Sequence, residues 1–209
     1  MQKYSVFSLI KNAFSDHQNW EVAWKDPTPK SEYDVVIIGG GGHGLATAYY
    51  LAKEHSITNV AVIEKGWIGG GNVGRNTTII RSNFMYDANA RFNEFGMNLW
   101  RNLSQELNFN VMFSPRGIIN LAHSDAQMNA YARRGNSMRL NGIDAKLLNR
   151  NEVKKLIPMA DFSDEVRFPI FGGLMQPSAG TARHDGVAWG YARQADLSLI
   201  HISEPTRQP

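Results

Sequence analysis

The sequence predicts an α/β fold that is organised around a β-strand, a tight glycine turn, an α-helix and a second β-strand. Three observations predict this unit. A run of four apolar residues at 35–38 is typical of a strand. Three glycines follow it at once in the spacing G-x-G-x-x-G: Gly39, Gly41 and Gly44. A second predicted strand, Asn59 to Ile63, ends on Glu64, which closes the unit with an acid.

Each part of this unit has a physical reason. Because the first run is apolar without interruption, we expect a parallel strand that is buried on both faces. In the turn, the first glycine permits the sharp bend, the second lets the backbone approach a pyrophosphate, and the third lets the helix lie close to the strand. The N-terminus of the helix favours a phosphate through its unpaired N–H groups and partial positive charge. The helix presents a narrow apolar stripe: Leu45, Ala48, Leu51 and Ala52.

Glu64 extends the prediction from a turn to a binding site. A carboxylate at the end of the second strand can accept hydrogen bonds from both ribose hydroxyls, and it repels a 2′-phosphate. Because strand, helix, second strand and acid have the required spacing, the sequence predicts that this unit binds a dinucleotide. The alternative is a structural glycine turn without a ligand. The pattern does not distinguish FAD from NAD.

A second glycine-rich segment follows the acid, with five glycines between positions 66 and 74. Ordering such a loop costs conformational entropy, so close approach to a ligand is one reason for it. Arg75 can contact a phosphate through two hydrogen bonds. Polar residues suited to ribityl hydroxyls surround it: Asn72, Asn76, Thr77 and Thr78. A surface loop whose polar residues face water explains the segment equally well.

Periodicity and capping residues predict the remaining elements. A helix at 87–108 carries a stripe that we expect in the core: Phe92, Phe95, Leu99, Leu103 and Leu107. Further helices are predicted at 125–140 and at 187–195, and a third begins at an N-cap that is either Asn149 or Asn151. Strands are predicted at 118–122, 145–148 and 168–176. No second phosphate-binding motif occurs there, which favours a separate substrate-side region.

Composition excludes several classes of function. The 209 residues carry a formal charge of +3 with scattered lysines and arginines, so no stripe for nucleic acid is present. No apolar run approaches the ~20 residues that span a bilayer, and no signal peptide is recognisable. The chain has no cysteine, and its histidines lack metal-ligand spacing. We expect a cytoplasmic protein without a metal, a nucleic-acid partner or a membrane contact.

Several segments together resemble one family of flavoproteins. They are TPKSEYDVVIIGGGGHGLATAYYLAKEH, GRNTTIIRSN, NVMFSPRGIINLAHS, RLNGIDA and ARHDGVAWGYARQAD. The sequence is similar, nearly from end to end, to the beta subunits of heterotetrameric sarcosine oxidases within the D-amino-acid-oxidase-like group. GRNTTIIRSN and ARHDGVAWGYAR are much more specific to this family than the glycine fingerprint.

The resemblance implies a fold and two cofactors. It implies a Rossmann-like FAD-binding βαβ domain with the start of an interleaved α+β substrate domain. Noncovalent FAD is implied at Gly39, Gly41, Gly42, His43, Gly44, Glu64, Asn72, Arg75, Thr77 and Ile79. The resemblance also implies covalent FMN on a histidine, and His184 of the R-H-D segment is the match. A neutral imidazole is needed for that attack, and Asp185 or a helix terminus would set its tautomer.

The resemblance further implies an activity and partners. In the family, FAD oxidises sarcosine, the imine hydrolyses to glycine and formaldehyde, and electrons pass through FMN to oxygen, which becomes hydrogen peroxide. The implied partners are alpha, gamma and delta subunits. No catalytic residue is assigned. The alternatives are a related FAD-dependent dehydrogenase of another secondary or N-methylated amino acid, and an inactive truncated fragment.

The chain is therefore predicted to have five segments. They are an N-terminal arm at 1–32 that contains Trp20 and Trp24, an FAD-binding unit at 33–84, a substrate-side region at 85–180, a helix returning towards the FAD domain at 181–196, and a foreign tail at 197–209. The tail begins LSLIHISEPTR. This string matches the in-frame translation of a common sequencing adapter. We expect native sequence to stop at Asp196, and His201 and Glu204 to have no function.

Overall fold

A computed structural model describes residues 6–16, 18, 28–198 and 200–203 of the chain. Trp20 and Trp24 of the predicted arm and Glu204 of the predicted tail lie outside the described residues. The helices are α1 (Val6–Phe14), α2 (Gly42–His55), α3 (Asp87–Glu106), α4 (Asp125–Leu140), α5 (Arg150–Leu156) and α6 (His184–Leu197). The strands are β1 (Val35–Ile38), β2 (Val60–Ile63), β3 (Ile79–Ile80), β4 (Ile118–Ala122), β5 (Lys146–Asn149), β6 (Gly172–Gln176), β7 (Gly180–Thr181) and β8 (His201–Ser203).

The chain forms two compact units. We call Met1–Arg75 with Tyr191–Pro209 the terminal unit, and Asn76–Gly190 the central unit. The division falls within α6. The five predicted segments have other boundaries, and they stay a prediction.

The terminal unit contains the predicted order of strand, turn, helix and strand, which is confirmed. β1 and β2 pair in parallel, with Val35 opposite Val60, and α2 supplies the crossover that a parallel pair requires. Ser56 ends α2 in the left-handed conformation, and its N–H donates to the carbonyl of Ala52. β8 pairs in parallel with the other side of β2, with Ile202 opposite Val62. The foreign origin of residues 197–209 stays a prediction.

The expectation that β1 is buried on both faces is wrong. Val36 and Ile38 are 51% and 90% exposed, and Ile63 of β2 is 50% exposed. Successive side chains alternate between the faces of a strand. Ile37 points towards α2, since its Cγ2 lies 3.3 Å from where a Cβ of Gly44 would stand. Within the described residues of the terminal unit, the opposite face has no comparable cover, so β1 is half-buried on one face and exposed on the other.

The central unit is built on an antiparallel sheet in the order β4-β6-β5. Leu174 of β6 packs in one hydrophobic cluster with Met138 of α4, and the next residue, Met175, packs against a second cluster that contains Val153 of α5. The two helices therefore cover opposite faces of this sheet. α4 has its predicted bounds, which is confirmed, whereas β6 begins at Gly172, four residues later than predicted.

The predicted core stripe of α3 is right at its C-terminal end and wrong at its start. Leu103 and Leu107 are buried, but Phe92 and Phe95 are 78% and 65% exposed. The first half of α3 is buried instead through Ala90 and Met97, which lie on roughly the opposite side of the helix at about 100° per residue. Periodicity identifies an apolar stripe, but the packing partners decide which side is covered.

Candidate functional site

The glycine turn has the geometry that each of its glycines predicts. Gly39 has a φ of 109°, which favours glycine, and its N–H donates to the carbonyl of Ile63 at 2.7 Å. A Cβ on Gly44 would lie 2.0 Å from the carbonyl oxygen of Gly39, so only glycine fits there. A Cβ on Gly41 would meet nothing within 4 Å, which leaves that side open for a ligand. These contacts hold α2 against the end of β1.

The N-terminus of α2 carries the other predicted phosphate contacts. α2 begins at Gly42. Its N-cap is Gly41, which has no side chain that could accept a hydrogen bond from the first turn. The backbone N–H groups of this turn therefore face a site that an anion can fill. His43 is exposed beside them. The structure thus brings the predicted turn residues together at one helix end.

Glu64 is placed at the same turn, with a role that sequence spacing did not indicate. One carboxylate oxygen accepts from the N–H of Gly40 at 2.7 Å, and the other accepts from the N–H of Gly66 at 2.8 Å. The side chain therefore ties the glycine turn to the second glycine-rich segment. An ionised carboxylate has about four acceptor positions, so two remain for ribose hydroxyls. The ribose contact of Glu64 stays a prediction.

The second glycine-rich segment is docked on the turn. The N–H of Gly69 donates to the carbonyl of Gly40 at 2.9 Å. A short 3-10 helix, Asn72–Arg75, follows, and its Val73 lies 3.2 Å from where a Cβ of Gly42 would stand. The segment thus carries Asn72 and Arg75, both exposed, next to the glycine turn. Its two interpretations, ligand contact and solvent-facing loop, stay open.

Thr77 and Ile79 belong to the central unit, so they are described apart from the glycine turn. Thr77 is exposed. Its neighbour Thr78 has a φ of 60°, which is an outlier for a β-branched residue, and the N–H of Thr78 donates to the Asn76 side chain at 2.7 Å. Such strain is often found at binding sites. Ile79 is 43% exposed and lines two cavities of the central unit.

These two cavities contain arginines that the sequence patterns did not single out. The larger, of about 430 Å³, has apolar walls that include Ile119 and Met175, together with Arg116. The smaller, of about 330 Å³, lies between β3 and α3 and contains Arg81 among exposed aromatic side chains. Arg81 lies two residues after Ile79, a predicted cofactor contact. That proximity is the sequence signal that could have identified Arg81 as a candidate.

The two residues after Arg81, Ser82 and Asn83, are polar and buried, and side chains from distant positions hold them in place. Arg81 donates to the side chain of Asn83, and Arg134 of α4 donates to the Asn83 carbonyl. Burial first, and the charge of Arg81 second, lower the pKa of Arg134. Gln176 accepts from the N–H of Ser82 at 3.1 Å. This network holds the residues that follow β3 in one conformation.

His184 is the first residue of α6, in the central unit. Its Nδ1 atom is buried and has no hydrogen-bond partner among the described residues. Asp185 does not supply one, because Arg183 donates to both of its carboxylate oxygens, at 3.0 and 2.9 Å. The hydrogen bond from Arg183 also lowers the pKa of Asp185. Asp185 and the helix terminus are the two groups expected to set the tautomer of His184. The expectation for Asp185 is wrong, because its carboxylate is bound by Arg183, and the helix terminus remains.

Two absences apply to the described part of the chain. No group of three or more His, Asp or Glu side chains there is arranged to hold a metal ion. Among the same residues, no helix combines the length and the hydropathy that a bilayer crossing requires.

A family model described as FAD dependent oxidoreductase matches residues 34–204. The chain is 61% identical over 200 residues to the sarcosine oxidase subunit beta of Rhizobium meliloti (strain 1021), which covers 96% of this chain and 48% of the relative. It is 52% identical over 182 residues to the subunit of the same name from Arthrobacter sp. This alignment covers 87% of this chain and 45% of the relative. The chain thus spans about half the length of the curated relatives it matches.

Solved structures resemble the fold as well. The L-proline dehydrogenase of P.horikoshii superposes with a TM-score of 0.75 at 28% identity, over 84% of this chain and 45% of that chain. The glycine oxidase of Geobacillus kaustophilus superposes with a TM-score of 0.73 at 22% identity, over 82% of this chain and 46% of that chain. The predicted α/β fold class is confirmed.

Proposed function

The chain belongs to the FAD dependent oxidoreductase family, and from this premise we propose that it is the N-terminal half of a sarcosine oxidase beta subunit. The observation that carries the proposal is the 61% identity over 200 residues to a relative of that name. The proposed reaction oxidises sarcosine to glycine and formaldehyde, and oxygen becomes hydrogen peroxide.

FAD is the proposed ligand of the glycine turn, held without a covalent bond. The open side of Gly41 and the N-terminus of α2 suit its pyrophosphate, and the free acceptor positions of Glu64 suit its ribose. We place Gly39, Gly42, His43 and Gly44 around the pyrophosphate, and Asn72, Arg75, Thr77 and Ile79 along the rest of the flavin. The close approach of Gly44 to Gly39 supports this proposal, because it holds the N-terminus of α2 against the end of β1.

FMN attached to His184 is the second proposed cofactor. The buried, unpartnered Nδ1 atom supports it, since a buried polar atom normally finds a partner. An imidazole nitrogen of His184 would hold the flavin through a bond to its 8α-methyl carbon. The bond would replace one methyl hydrogen and one imidazole hydrogen, and oxygen would take up both with two electrons as hydrogen peroxide. The first turn of α6 fixes the backbone of His184 for this step.

The proposal extends to partners and to location. The relatives are named as a subunit, which supports an assembly of several chains, and we propose alpha, gamma and delta subunits as the partners. We further propose that the assembly acts in the cytoplasm on sarcosine, a small-molecule substrate.

The assembled oxidase that contains this chain provides the test. Purified gently, it should be yellow, release FAD on denaturation and form peroxide when sarcosine is added. A colourless preparation that takes up no FAD contradicts the proposal. Flavin fluorescence should also stay with the denatured subunit, and it should be lost in His184→Ala but not in His123→Ala, a histidine of the same unit. Retention in His184→Ala rules out attachment there.

A dehydrogenase of another secondary amino acid is the second candidate. The 28% identity to L-proline dehydrogenase at a TM-score of 0.75 favours it. This enzyme would reduce an added electron acceptor in the presence of proline or an N-methylated amino acid, and it would form no peroxide with sarcosine. Assays of both products on a panel of secondary amines separate the two candidates.

A further inference from the structure

We propose that Ser104 of α3 is a positioning residue for His184, and that it acts through the turn at residues 108–112, which we call the support turn. The proposal rests on the proposed attachment of flavin to His184. Ser104 lies 80 positions before His184 in the sequence, and two hydrogen bonds connect it to the residue that precedes His184.

The first step is the bond from the support turn to α3. Asn108 follows α3 with a φ of 43°, and the N–H of Phe109 donates to the carbonyl of Ser104 at 3.1 Å. This is a common way to end a helix. The hydroxyl oxygen of Ser104 then accepts from the N–H of Val111 at 3.2 Å. Ser104 thus binds the support turn twice, once with its backbone and once with its side chain.

The second step is the bond from the support turn to the segment of His184. The carbonyl of Val111, which is fully buried, accepts from the N–H of Arg183 at 3.0 Å. The first turns of α6 also lie on the support turn, because a Cβ on Gly186 would stand 3.5 Å from the carbonyl oxygen of Asn110. A Cβ on Gly190 would stand 3.3 Å from the ring of Phe109. The position of the support turn therefore sets the position of His184.

The third step connects position to chemistry. Bond formation requires the imidazole nitrogen and the carbon it attacks to be aligned, and a displacement of ~1 Å can cost on the order of a hundredfold in rate. Removing the Ser104 hydroxyl leaves the N–H of Val111 buried without its acceptor, so the support turn shifts to find another. Ser104 touches no cofactor in this scheme. Its effect reaches His184 only through Val111 and Arg183.

The test uses the complete subunit, prepared without flavin and then given FMN. The fluorescence that remains after denaturation measures covalent attachment over time, and released FAD measures the other site. We expect Ser104→Ala to attach FMN on the order of tenfold more slowly, with FAD uptake unchanged. Ser104→Thr keeps the hydroxyl and should restore the rate. The control is Ser124→Ala, which removes a hydroxyl that accepts from the N–H of Gln127 at 3.2 Å in the same unit.

Several outcomes overturn the proposal. Wild-type attachment in Ser104→Ala does so, and so does an equal loss in Ser104→Ala and Ser124→Ala, which would indicate a general loss of stability. If Ser104→Ala does not fold, Asn110→Ala replaces it, because the Asn110 side chain accepts from the N–H of Met112 at 2.8 Å within the support turn. Wild-type attachment in that variant also overturns the proposal. Covalent flavin in His184→Ala instead overturns the proposed attachment of FMN to His184, whatever Ser104 does.

Discussion

At the scale of single residues, Gly44 and Gly41 belong to one motif but have different neighbours. A Cβ on Gly44 would overlap the carbonyl oxygen of Gly39, whereas a Cβ on Gly41 would meet open space. We expect Gly44→Ala to lower the free energy of unfolding by about 1–3 kcal/mol, as overpacking does. Gly41→Ala should keep its melting temperature and bind less FAD. Thermal unfolding and FAD titration check both, and equal melting temperatures for the two variants contradict the assignment.

Glu64 gives a second prediction at this scale. In Glu64→Gln one amide oxygen can still accept from Gly40 or Gly66, but the amide NH₂ group faces the other N–H. We expect the free energy of unfolding to fall by about 1–3 kcal/mol, since one N–H loses its acceptor and the other keeps only an uncharged one. Chemical denaturation measures it. Glu54→Gln, which changes an exposed partner of Lys53, should stay within about 0.5 kcal/mol of wild type. A Glu64→Gln value in that same range would contradict the structural role of Glu64.

The pair of Arg183 and Asp185 gives a prediction about pH. Because Arg183 lowers the pKa of Asp185 in the folded chain, the carboxylate stabilises the fold above the ordinary Asp pKa of ~3.9. This contribution is lost as pH falls below that value, through the lowered pKa of the folded state. The pair is exposed, so the effect is small and salt-dependent. We expect the difference in melting temperature between wild type and Asp185→Asn to shrink on acidification below pH ~4. A difference that grows there has the wrong sign.

At the scale of elements, α5 depends on Asn149, the residue that caps its N-terminus. The Asn149 side chain accepts from the N–H of Glu152 at 3.0 Å, and the Glu152 side chain accepts from the N–H of Asn149 at 2.8 Å. This reciprocal cap decides between the two predicted caps in favour of Asn149. Asn149→Ala should cost about 1 kcal/mol of unfolding free energy, and Asn151→Ala much less. Thermal unfolding of both compares them, and a larger loss in Asn151→Ala would reverse the assignment.

Two helices differ in how well the sequence pattern predicts them. α4 has its predicted bounds because its signals are local: Ser124 caps its start, and Gly142, with a φ of 78°, follows its end. α3 has equally clear periodicity, yet Phe92 and Phe95 are exposed and Ala90 is buried. The covered side of α3 depends on residues far away in the sequence, such as Leu174 in the same cluster as Ala90. No local pattern contains that information.

At the scale of the whole molecule, the uncovered face of β1 has a consequence for solubility. Val36 and Ile38 of the edge strand β1 and Ile63 of the central strand β2 expose apolar surface on one face of the sheet, which favours self-association. We expect the 209-residue chain alone to self-associate and to produce no peroxide from sarcosine. Ile38→Lys should reduce light scattering at an unchanged melting temperature. Leu140→Lys, which changes an exposed leucine at the end of α4, should leave the scattering as it is. Equal scattering in all three chains, or peroxide from the chain alone, would contradict these expectations.

By itself, the sequence determined the glycine turn between β1 and α2, the bounds of α4 and the family, because each depends on short runs of residues with fixed spacing. Only the tertiary structure decided that Glu64 bonds to Gly40 and Gly66, and that Val111 connects α3 to the segment of His184. Spacing along a chain constrains the near neighbours of a residue. Hydrogen bonds and burial depend on which distant backbone arrives beside it, and that is settled when the whole unit packs.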